Sequence, residues 1–332
     1  GWCYDEALCH ARSKTSLGSS KYWPKSAGCS CMNAKEDGEM DDCNCLYMPY
    51  GDGASFSGFR PKPWPVSASK SNQDFLHFRG IKNFDATLDW AFKHGLDKAT
   101  EFVLTGGSAG GLSTFLHVDR ASQRLALEAP SCKHVRAAPV VGYFLDHDDF
   151  KKDANNYTAF MQYIYHMQNL TFGSDGALTP TCQAACPDKP HYCFMSPHMQ
   201  QFIQTPFFKF NSKYDAWQLA NELQTDWKTK AEQEAVLQYG EDFLQQFKAI
   251  QGEGKHGATI TSCICHGCPW QNFMLEGKSS YQHYAAWYYG KTQGAESTHV
   301  DARRPNGDGT MTFSQCLKFP GREDVDETPL VV

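Results

Sequence analysis

Glu101-Phe-Val-Leu-Thr-Gly106-Gly-Ser108-Ala-Gly110-Gly-Leu-Ser-Thr-Phe115 places a Gly-x-Ser-x-Gly pattern between a short apolar run and a helix-like run. This pattern predicts a tight turn from a strand into a helix, with a strained serine backbone and with small residues two before and two after it. Oγ of Ser108 would then be exposed at a helix N-terminus, where backbone N–H groups stabilise negative charge. An ordinary glycine-rich turn is the alternative, so a catalytic interpretation requires partner residues.

Strand and helix patterns alternate around this turn. We predict strands over 75–78, 102–104, 137–144, 206–210 and 258–261, and helices over 84–94, 111–123, 157–167, from near 216, over 230–250 and over 280–289. Such alternation indicates a mostly parallel sheet flanked by helices, which is an α/β fold. We expect a single domain over 1–332, in which 1–70 is a cysteine-rich loop region without helices and 150–204 is an insertion or cap.

Composition excludes several functional classes. The chain has 332 residues, 41% of them hydrophobic, and a formal net charge of −6. Because acidic and basic residues are intermixed, no basic face invites a nucleic acid. No segment approaches the roughly 18 to 20 consecutive apolar residues of a spanning helix. We therefore expect neither a nucleic-acid partner nor a membrane span.

Fourteen cysteines are the second prominent feature of the chain. Their clustered, even-numbered usage indicates disulfides formed in an oxidising compartment. Zinc is the alternative, because Cys29-x-Cys31 with Cys43-x-Cys45 and the group Cys263, Cys265, His266 and Cys268 superficially look like ligand sets. The C-x-C spacing is tighter than structural zinc sites usually have, so we favour disulfides and expect no metal.

The expected pairing of Cys132 and two glycosylation sequons extend the interpretation of a disulfide-bonded, secreted protein. We expect Cys132 to pair with one of Cys182, Cys186 or Cys193. Two sequons, at Asn156 and Asn169, agree with a secretory route. The chain begins at Gly1 without an initiator methionine or a signal sequence, and we expect its natural N-terminus to be missing or processed away.

A serine nucleophile needs a base and an acid that orients the base. In hydrolases of this topology the order is Ser, then Asp or Glu, then His. Asp215 follows the predicted strand 206–210, at the strand end where such sheets place functional groups. Asp146 also follows a predicted strand and is the rival. Asp215 is the preferred acid, and its position before a predicted helix also suits a helix cap.

The candidate base is one of 13 histidines. His266 follows the predicted strand 258–261 in a loop that three cysteines would hold rigid, and rigidity is what a general base requires. His256, His283 and His299 are alternatives in the same region, since any single histidine is more often structural than catalytic.

Six motifs in this order resemble the pectin acetylesterase family, which includes the Notum carboxylesterases. The resemblance covers residues 1 to about 270. The motifs are Gly1-Trp2-Cys3, Tyr50–Gly58 with the pattern Y-G-D-G-A-S-F-S-G, Leu76–Gly80, Thr105–Gly111, Tyr214–Gln218 and Ser262–His266.

This resemblance implies an α/β-hydrolase-like fold with disulfide-stapled loops. It implies Ser108 as nucleophile, Asp215 rather than Asp146 as acid and His266 as base, without a cofactor. The family departs from this chain at Gly107, where it usually has cysteine or serine, and at Gly267. The family also has strands before Gly1, so we expect N-terminal strands to be missing here.

The resemblance further implies an oxyanion hole made by the N–H groups of Gly1, Trp2 and Ala109. The expected function is a secreted serine esterase that removes acetyl groups from a polysaccharide such as pectin. One alternative is a Notum-like carboxylesterase acting on a protein- or lipid-linked acyl chain. Another is a catalytically silent, disulfide-rich binding protein.

Overall fold

The structure is a computed structural model. It describes residues 1–302 except 27, 30, 40–42, 68–73, 153–155, 171–175, 250–253, 269, 271 and 272, with the backbone alone for 248 and 249. The described strands are β1 Trp64–Pro65, β2 Phe75–Leu76, β3 Glu101–Gly107, β4 His134–Val140, β5 Phe208–Tyr214, β6 Gly257–Ile264, β7 Met274–Leu275, β8 Lys278–Ser279 and β9 Thr298–Val300.

The described α-helices follow the predicted order. They are α1 Glu6–Ser13, α2 Gly80–Lys93, α3 Ala109–Glu128, α4 Asn156–Gln168, α5 Pro180–Ala185, α6 Ser196–Met199, α7 Ala216–Asn221, α8 Lys230–Ala249 and α9 Ser280–Tyr288. The predicted helices of more than one turn all occur, within a few residues of their predicted ends.

A parallel sheet with the strand order β3-β4-β5-β6-β9 lies at the centre of the molecule. Every residue of β5 and of β6 is buried, as expected of strands covered on both faces. Side chains at the start of β5 alternate between two hydrophobic clusters. Phe208 and Phe210 pack with Tyr284 of α9, while Phe207, the residue before β5, packs with Phe115 of α3. The prediction of an α/β fold with a parallel sheet is confirmed.

Several sequence-based assignments were wrong in detail. The predicted strand 75–78 is only β2, which pairs antiparallel with β1 outside the central sheet. The predicted strand 137–144 begins earlier and ends at Val140. The polar segment from Thr298 forms β9, a fifth strand beside β6. The region expected to be loops contains α1, whose N-terminus is capped by the Asp5 carboxylate accepting a hydrogen bond from the Leu8 N–H.

Disulfides link the loops around this core, so the prediction that the cysteines form disulfides is confirmed. Cys263 also forms a disulfide. The two C-x-C motifs are joined to each other by nested bridges rather than arranged around a metal. The described pairs are Cys3–Cys9, Cys29–Cys45, Cys31–Cys43, Cys182–Cys193 and Cys265–Cys268.

The expected pairing of Cys132 was wrong. Cys132 and Cys186 are free thiols, whereas Cys182 and Cys193 bond to each other at a sequence separation of 11. A short local loop closes at lower entropic cost than a link to a distant segment. Of the helices in the described ranges, none combines the length and apolarity that crossing a bilayer requires.

Candidate active site

Three chain segments place the candidate catalytic residues at one edge of the sheet. Ser108 follows β3 directly, Asp215 follows β5 directly and His266 comes two residues after β6. Because these strands are parallel, their carboxyl ends lie at the same edge, where open α/β sheets place their functional groups.

Ser108 occupies the turn between β3 and α3. Its φ of 58° and ψ of −123° lie outside the ordinary regions for an L-residue, and such backbone strain is concentrated at functional sites. The Ser108 N–H donates to the Val140 carbonyl of β4 at 2.9 Å, which ties the strained turn to the sheet. The predicted strand-to-helix turn at this serine is therefore present.

Close packing at this turn depends on Gly106 and Gly111. A Cβ on Gly106 would lie 2.5 Å from the Gly110 carbonyl oxygen, and one on Gly111 would lie 2.5 Å from the Val140 carbonyl oxygen. A Cβ on Gly110 would meet no neighbouring atom within 4 Å. The second small residue that packing requires is thus Gly111, where β4 passes the helix, and not Gly110 as the motif suggested.

His266 connects the serine to the aspartate. Its Nε2 lies 2.7 Å from Ser108 Oγ, and its Nδ1 lies 2.8 Å from both carboxylate oxygens of Asp215. The Cys265–Cys268 disulfide closes the short loop that contains His266. With Nδ1–H donated to the carboxylate, the Nε2 lone pair faces Ser108, which is the tautomer that a general base requires.

Asp215 is fully buried and serves two roles. Its Oδ1 accepts hydrogen bonds from the backbone N–H groups of Trp217 and Gln218, so it caps α7 as well as holding His266. Those donors compensate a buried carboxylate that would otherwise be costly. The cap and the imidazole together leave the carboxylate little freedom to rotate.

A second buried carboxyl lies near Asp215. Burial raises the pKa of Glu222 well above its ordinary value, and the charge of Asp215 adds to the rise. Glu222 Oε2 is 2.8 Å from the hydroxyl of Tyr239, which is also 2.8 Å from Gln218 Oε1. A protonated Glu222 can donate to Tyr239, whose own proton then goes to Gln218, so the neutral carboxyl fits this network.

The rival residues lie in other interactions. Asp146 binds Nε2 of His198 at 2.7 Å and the hydroxyl of Thr158 at 2.6 Å. His256 stacks on Phe207 at the opposite end of β6, and burial lowers its pKa to about 3. The other two alternative bases, His283 and His299, stack on each other at 3.5 Å. None of these contacts involves Ser108.

The predicted oxyanion residues are only partly connected to the serine. Ser55 Oγ accepts from the indole Nε1 of Trp2 at 2.8 Å and donates to the Ala109 carbonyl at 2.7 Å, so Ser55 joins Trp2 to the residue after Ser108. Trp2 is buried, whereas Gly1 is exposed. The oxyanion hole of Gly1, Trp2 and Ala109 stays a prediction.

Sequence reasoning missed an aromatic cluster beside the imidazole. Phe144 and Trp217 each lie 6.3 Å from the His266 ring, and Trp2 contacts both of them at 4.8 and 5.5 Å. Tyr157 of α4 completes the cluster at 5.9 Å from Trp2. The apolar run ending at Phe144 was interpreted as strand, which hid its role as a wall of the site.

Three groups of side chains have metal-ligand spacing in the described part of the chain. Two of them consist of cysteines and include disulfide partners, Cys31 with Cys43 and Cys182 with Cys193. The third joins Glu276, His283 and His299, whose ligand atoms lie within 4.8 Å of one another. No group shares a residue with Ser108, Asp215 or His266.

Comparison with known sequences identifies the family. The pectinacetylesterase family profile matches residues 1–310. The chain belongs to the pectinacetylesterase family. It is a carboxylic ester hydrolase, as predicted. Pectin acetylesterase 11 of Arabidopsis thaliana is 28% identical over 80% of this chain and 68% of its own length, and pectin acetylesterase 5 is 29% identical over 88% and 70%.

Animal proteins are also similar to this chain. Palmitoleoyl-protein carboxylesterase Notum of Drosophila melanogaster is 25% identical over 66% of this chain and 32% of its own length. The crystal structure of the Wnt deacylase Notum from Drosophila superposes with a TM-score of 0.75 at 20% identity, covering 91% of this chain and 86% of that chain. This likeness confirms the α/β-hydrolase-like fold of the pectinacetylesterase family member described here.

Proposed function

We propose that this protein is a secreted serine carboxylesterase that removes acetyl groups from a polysaccharide such as pectin. The observation that carries the proposal is the hydrogen-bonded line from Asp215 through His266 to Ser108. A buried acid, an oriented imidazole and a strained serine at a helix N-terminus are the parts that acyl transfer requires.

The first half of the reaction forms an acyl-enzyme. Ser108 Oγ attacks the acetyl carbonyl carbon while Nε2 of His266 takes the serine proton. Asp215 holds the imidazole and stabilises its positive charge. When the tetrahedral intermediate collapses, the bond to the sugar oxygen breaks and His266 returns the proton to that oxygen, which leaves as a hydroxyl.

The second half restores the enzyme. Water attacks the acetyl-Ser108 carbonyl, His266 takes a proton from the water, and acetate leaves as Ser108 regains its proton. In both halves the Ala109 N–H, with those of Gly1 and Trp2, stabilises the oxyanion in our proposal. The positive end of the α3 dipole adds to this stabilisation.

The acetyl preference is supported by relatives and by packing. Pectin acetylesterases are among the relatives with the broadest coverage of the chain. Bulky rings of Trp2, Phe144 and Trp217 fill space beside the catalytic imidazole. In our proposal these rings limit the room beside the imidazole to a short acyl group. Notum, which its name describes as a palmitoleoyl-protein carboxylesterase, supplies the alternative of a long acyl chain.

Secretion is supported by the cysteines. Disulfides such as Cys29–Cys45 and Cys31–Cys43 cross-link exposed loops, and bridges of this kind persist in oxidising compartments.

The test is acetate release from acetylated pectin by the wild type and by Ser108→Ala. We expect the variant to lose turnover by several orders of magnitude while its thermal midpoint is kept, because the hydroxyl contributes little to packing. A Ser113→Ala variant, which changes a buried serine of the same helix, is the matched control and should retain activity. Wild-type activity in Ser108→Ala would overturn the assignment of the nucleophile.

Acyl length is varied in the same assay with small esters. Turnover should be highest for acetyl and fall by about tenfold or more for octanoyl, if steric exclusion of the longer chain decides specificity. A maximum at octanoyl or longer would instead support the long-chain alternative.

A further inference from the structure

A large open cleft lies at the edge of the sheet opposite the candidate active site. It has a volume of about 870 Å³ and is bordered by the start of β4 and by the segments that precede β5 and β6. Ser108, Asp215 and His266 lie beyond the carboxyl ends of the strands, whereas this cleft lies at their amino ends. With a rise of about 3.3 Å per residue, strands of seven or eight residues separate the two edges by roughly 20 Å.

Four basic side chains line this amino-edge cleft. They are Lys133, His134, Arg136 and Lys255, and no aspartate or glutamate of the described chain is among the lining residues. None of the four forms an ion pair in the ranges that the structure covers. The protein as a whole is acidic, with a net charge of −6, so the presence of the three cations Lys133, Arg136 and Lys255 in one cleft runs against its composition.

Neighbouring groups hold the Arg136 guanidinium in place. Arg136 donates from Nη2 to the Tyr288 carbonyl at 2.8 Å, and its guanidinium lies 4.5 Å from the centre of the Tyr288 ring. Glu101 is the acid nearest in the strand pairing, and its carboxylate accepts from the Tyr288 hydroxyl at 2.6 Å instead of pairing with Arg136. A fixed guanidinium loses little side-chain entropy when it binds an anion.

The cations are spread along the edge of the sheet. Lys133 directly precedes β4, and Arg136 lies within β4. Lys255 comes shortly before β6, and β5 lies between β4 and β6. Two strand spacings place the backbones of β4 and β6 about 10 Å apart at this edge. Cations based on separate strands can contact successive carboxylates of one extended chain.

The cleft also offers neutral polar groups. Gln204 and Thr205 line it before β5, and Lys255 Nζ lies 3.5 Å from Gln204 Oε1. Hydroxyl and amide groups beside cations match a ligand that carries both sugar hydroxyls and carboxylates.

From these observations we propose that the amino-edge cleft is a second, non-catalytic site that binds a polyuronate chain. The choice of a carboxylate-bearing polysaccharide rests on the proposed function, since pectin is itself a polyuronate. A chain held there raises the effective concentration of its acetyl groups at the distant serine. The deacetylated chain keeps its carboxylates, so the site also accepts the product.

The experiment measures binding of an oligogalacturonate without acetyl groups by isothermal titration calorimetry. The protein is the full chain with Ser108→Ala, and binding should occur, because the active-site serine is not needed. The double variant Lys133→Gln/Lys255→Gln in the same background should weaken binding at least about tenfold, since each substitution removes a charge-assisted contact. Lys93→Gln, an exposed lysine at the end of α2, is the matched charge control and should bind normally.

Two further ligands distinguish the outcomes. A neutral maltooligosaccharide of equal length should not bind, and polyglutamate should bind more weakly than the oligogalacturonate. Absence of oligogalacturonate binding, or binding that the double variant leaves unchanged, would overturn the proposal, and equal binding of polyglutamate would reduce the cleft to a general anion surface. Hydrolysis of a small acetyl ester by Lys133→Gln/Lys255→Gln with Ser108 intact should equal wild type, so a failure of the esterase proposal is detected separately.

Discussion

Asp215 caps α7 and binds the His266 imidazole with one buried carboxylate. Oδ1 accepts from the α7 backbone and, together with Oδ2, from the imidazole, so α7 fixes the direction in which the imidazole is held. Asp146, the alternative from sequence, pairs with a different histidine, His198. The two aspartates thus provide a matched comparison of one charge removed at each site.

Asp215→Asn should lower the turnover number on a small acetyl ester by about 10⁴-fold, because an amide at this position favours the wrong imidazole tautomer. Asp146→Asn should retain turnover within a few-fold. Both variants are assayed with the same ester and checked for folding by circular dichroism. Loss of turnover in Asp146→Asn alone would assign the acid to the other strand end.

Glycine substitutions at the strand-to-helix turn should separate the two close positions. Gly111→Ala should lower the free energy of unfolding by about 1 to 3 kcal/mol, since its Cβ would overlap the β4 backbone. Gly110→Ala has open space and removes a helix glycine, so its unfolding free energy should be unchanged or higher by up to about 1 kcal/mol. Urea denaturation of both variants is the measurement, and equal losses would contradict the packing argument.

At the scale of elements, α7 and α8 meet through a buried polar network behind the acid. The hydroxyl of Tyr239 in α8 connects Gln218 of α7 to Glu222, which directly follows α7. Burial raises the pKa of Glu222 well above its ordinary value, which favours a neutral carboxyl beside the charge of Asp215. Neutrality of this carboxyl therefore helps α8 to pack against the segment that carries the acid.

Glu222→Gln should stabilise the protein near neutral pH, because glutamine supplies a neutral donor without having to take up a proton on folding. The pKa of Glu222 is higher in the folded state, so its contribution is complete below about 4.5 and is lost as the pH rises above that value. The unfolding free energy of the variant relative to wild type should accordingly be greater at pH 8 than at pH 4. Tyr239→Phe is the control that breaks the network at both pH values, and a pH-independent difference for Glu222→Gln would contradict a protonated Glu222.

Across the whole molecule, buried histidines and a buried aspartate change the free energy of unfolding in opposite directions between pH 4 and 6.5. Burial lowers the pKa of His117 to about 4 and that of His256 to about 3, so their contributions are present above 6.5 and lost as the pH falls. Burial raises the pKa of Asp52 to about 6, so its contribution is lost as the pH rises through that value. These opposing effects flatten the dependence of stability on pH.

His117→Gln should expose the histidine part of this balance. The His117 Nε2 lies 2.9 Å from the Ser55 carbonyl, and a glutamine amide can donate there without titrating. Since each pKa unit corresponds to about 1.4 kcal/mol, the advantage of wild type over the variant should shrink by about 3 kcal/mol from pH 7 to pH 4. Unfolding free energies from urea titrations at both pH values are compared, and a constant difference would mean that His117 ionises freely in the folded state.

Long-range contacts account for what could not be predicted from sequence. β9 is a three-residue polar strand that exists because β6 offers an unpaired edge, and nothing local in Thr298–Val300 signals this. The aromatic cluster beside His266 brings together Trp2, Phe144 and Trp217 from three distant segments of the chain. Cys132 was expected to pair with Cys182, Cys186 or Cys193, but Cys182 and Cys193 bond to each other and Cys186 is free.

The amino-acid sequence alone determined the α/β class, the disulfide-rich character and the candidates Ser108, Asp215 and His266. Those features depend on local signals, namely strand and helix periodicity, glycine spacing and the residue types that follow strand ends. Tertiary structure decided which candidates meet. Only the parallel arrangement of β3, β5 and β6 in one sheet brings residues from separate strand ends within hydrogen-bonding distance. It alone also gathered Lys133, Arg136 and Lys255 at the opposite edge, since strand order cannot be deduced from local periodicity.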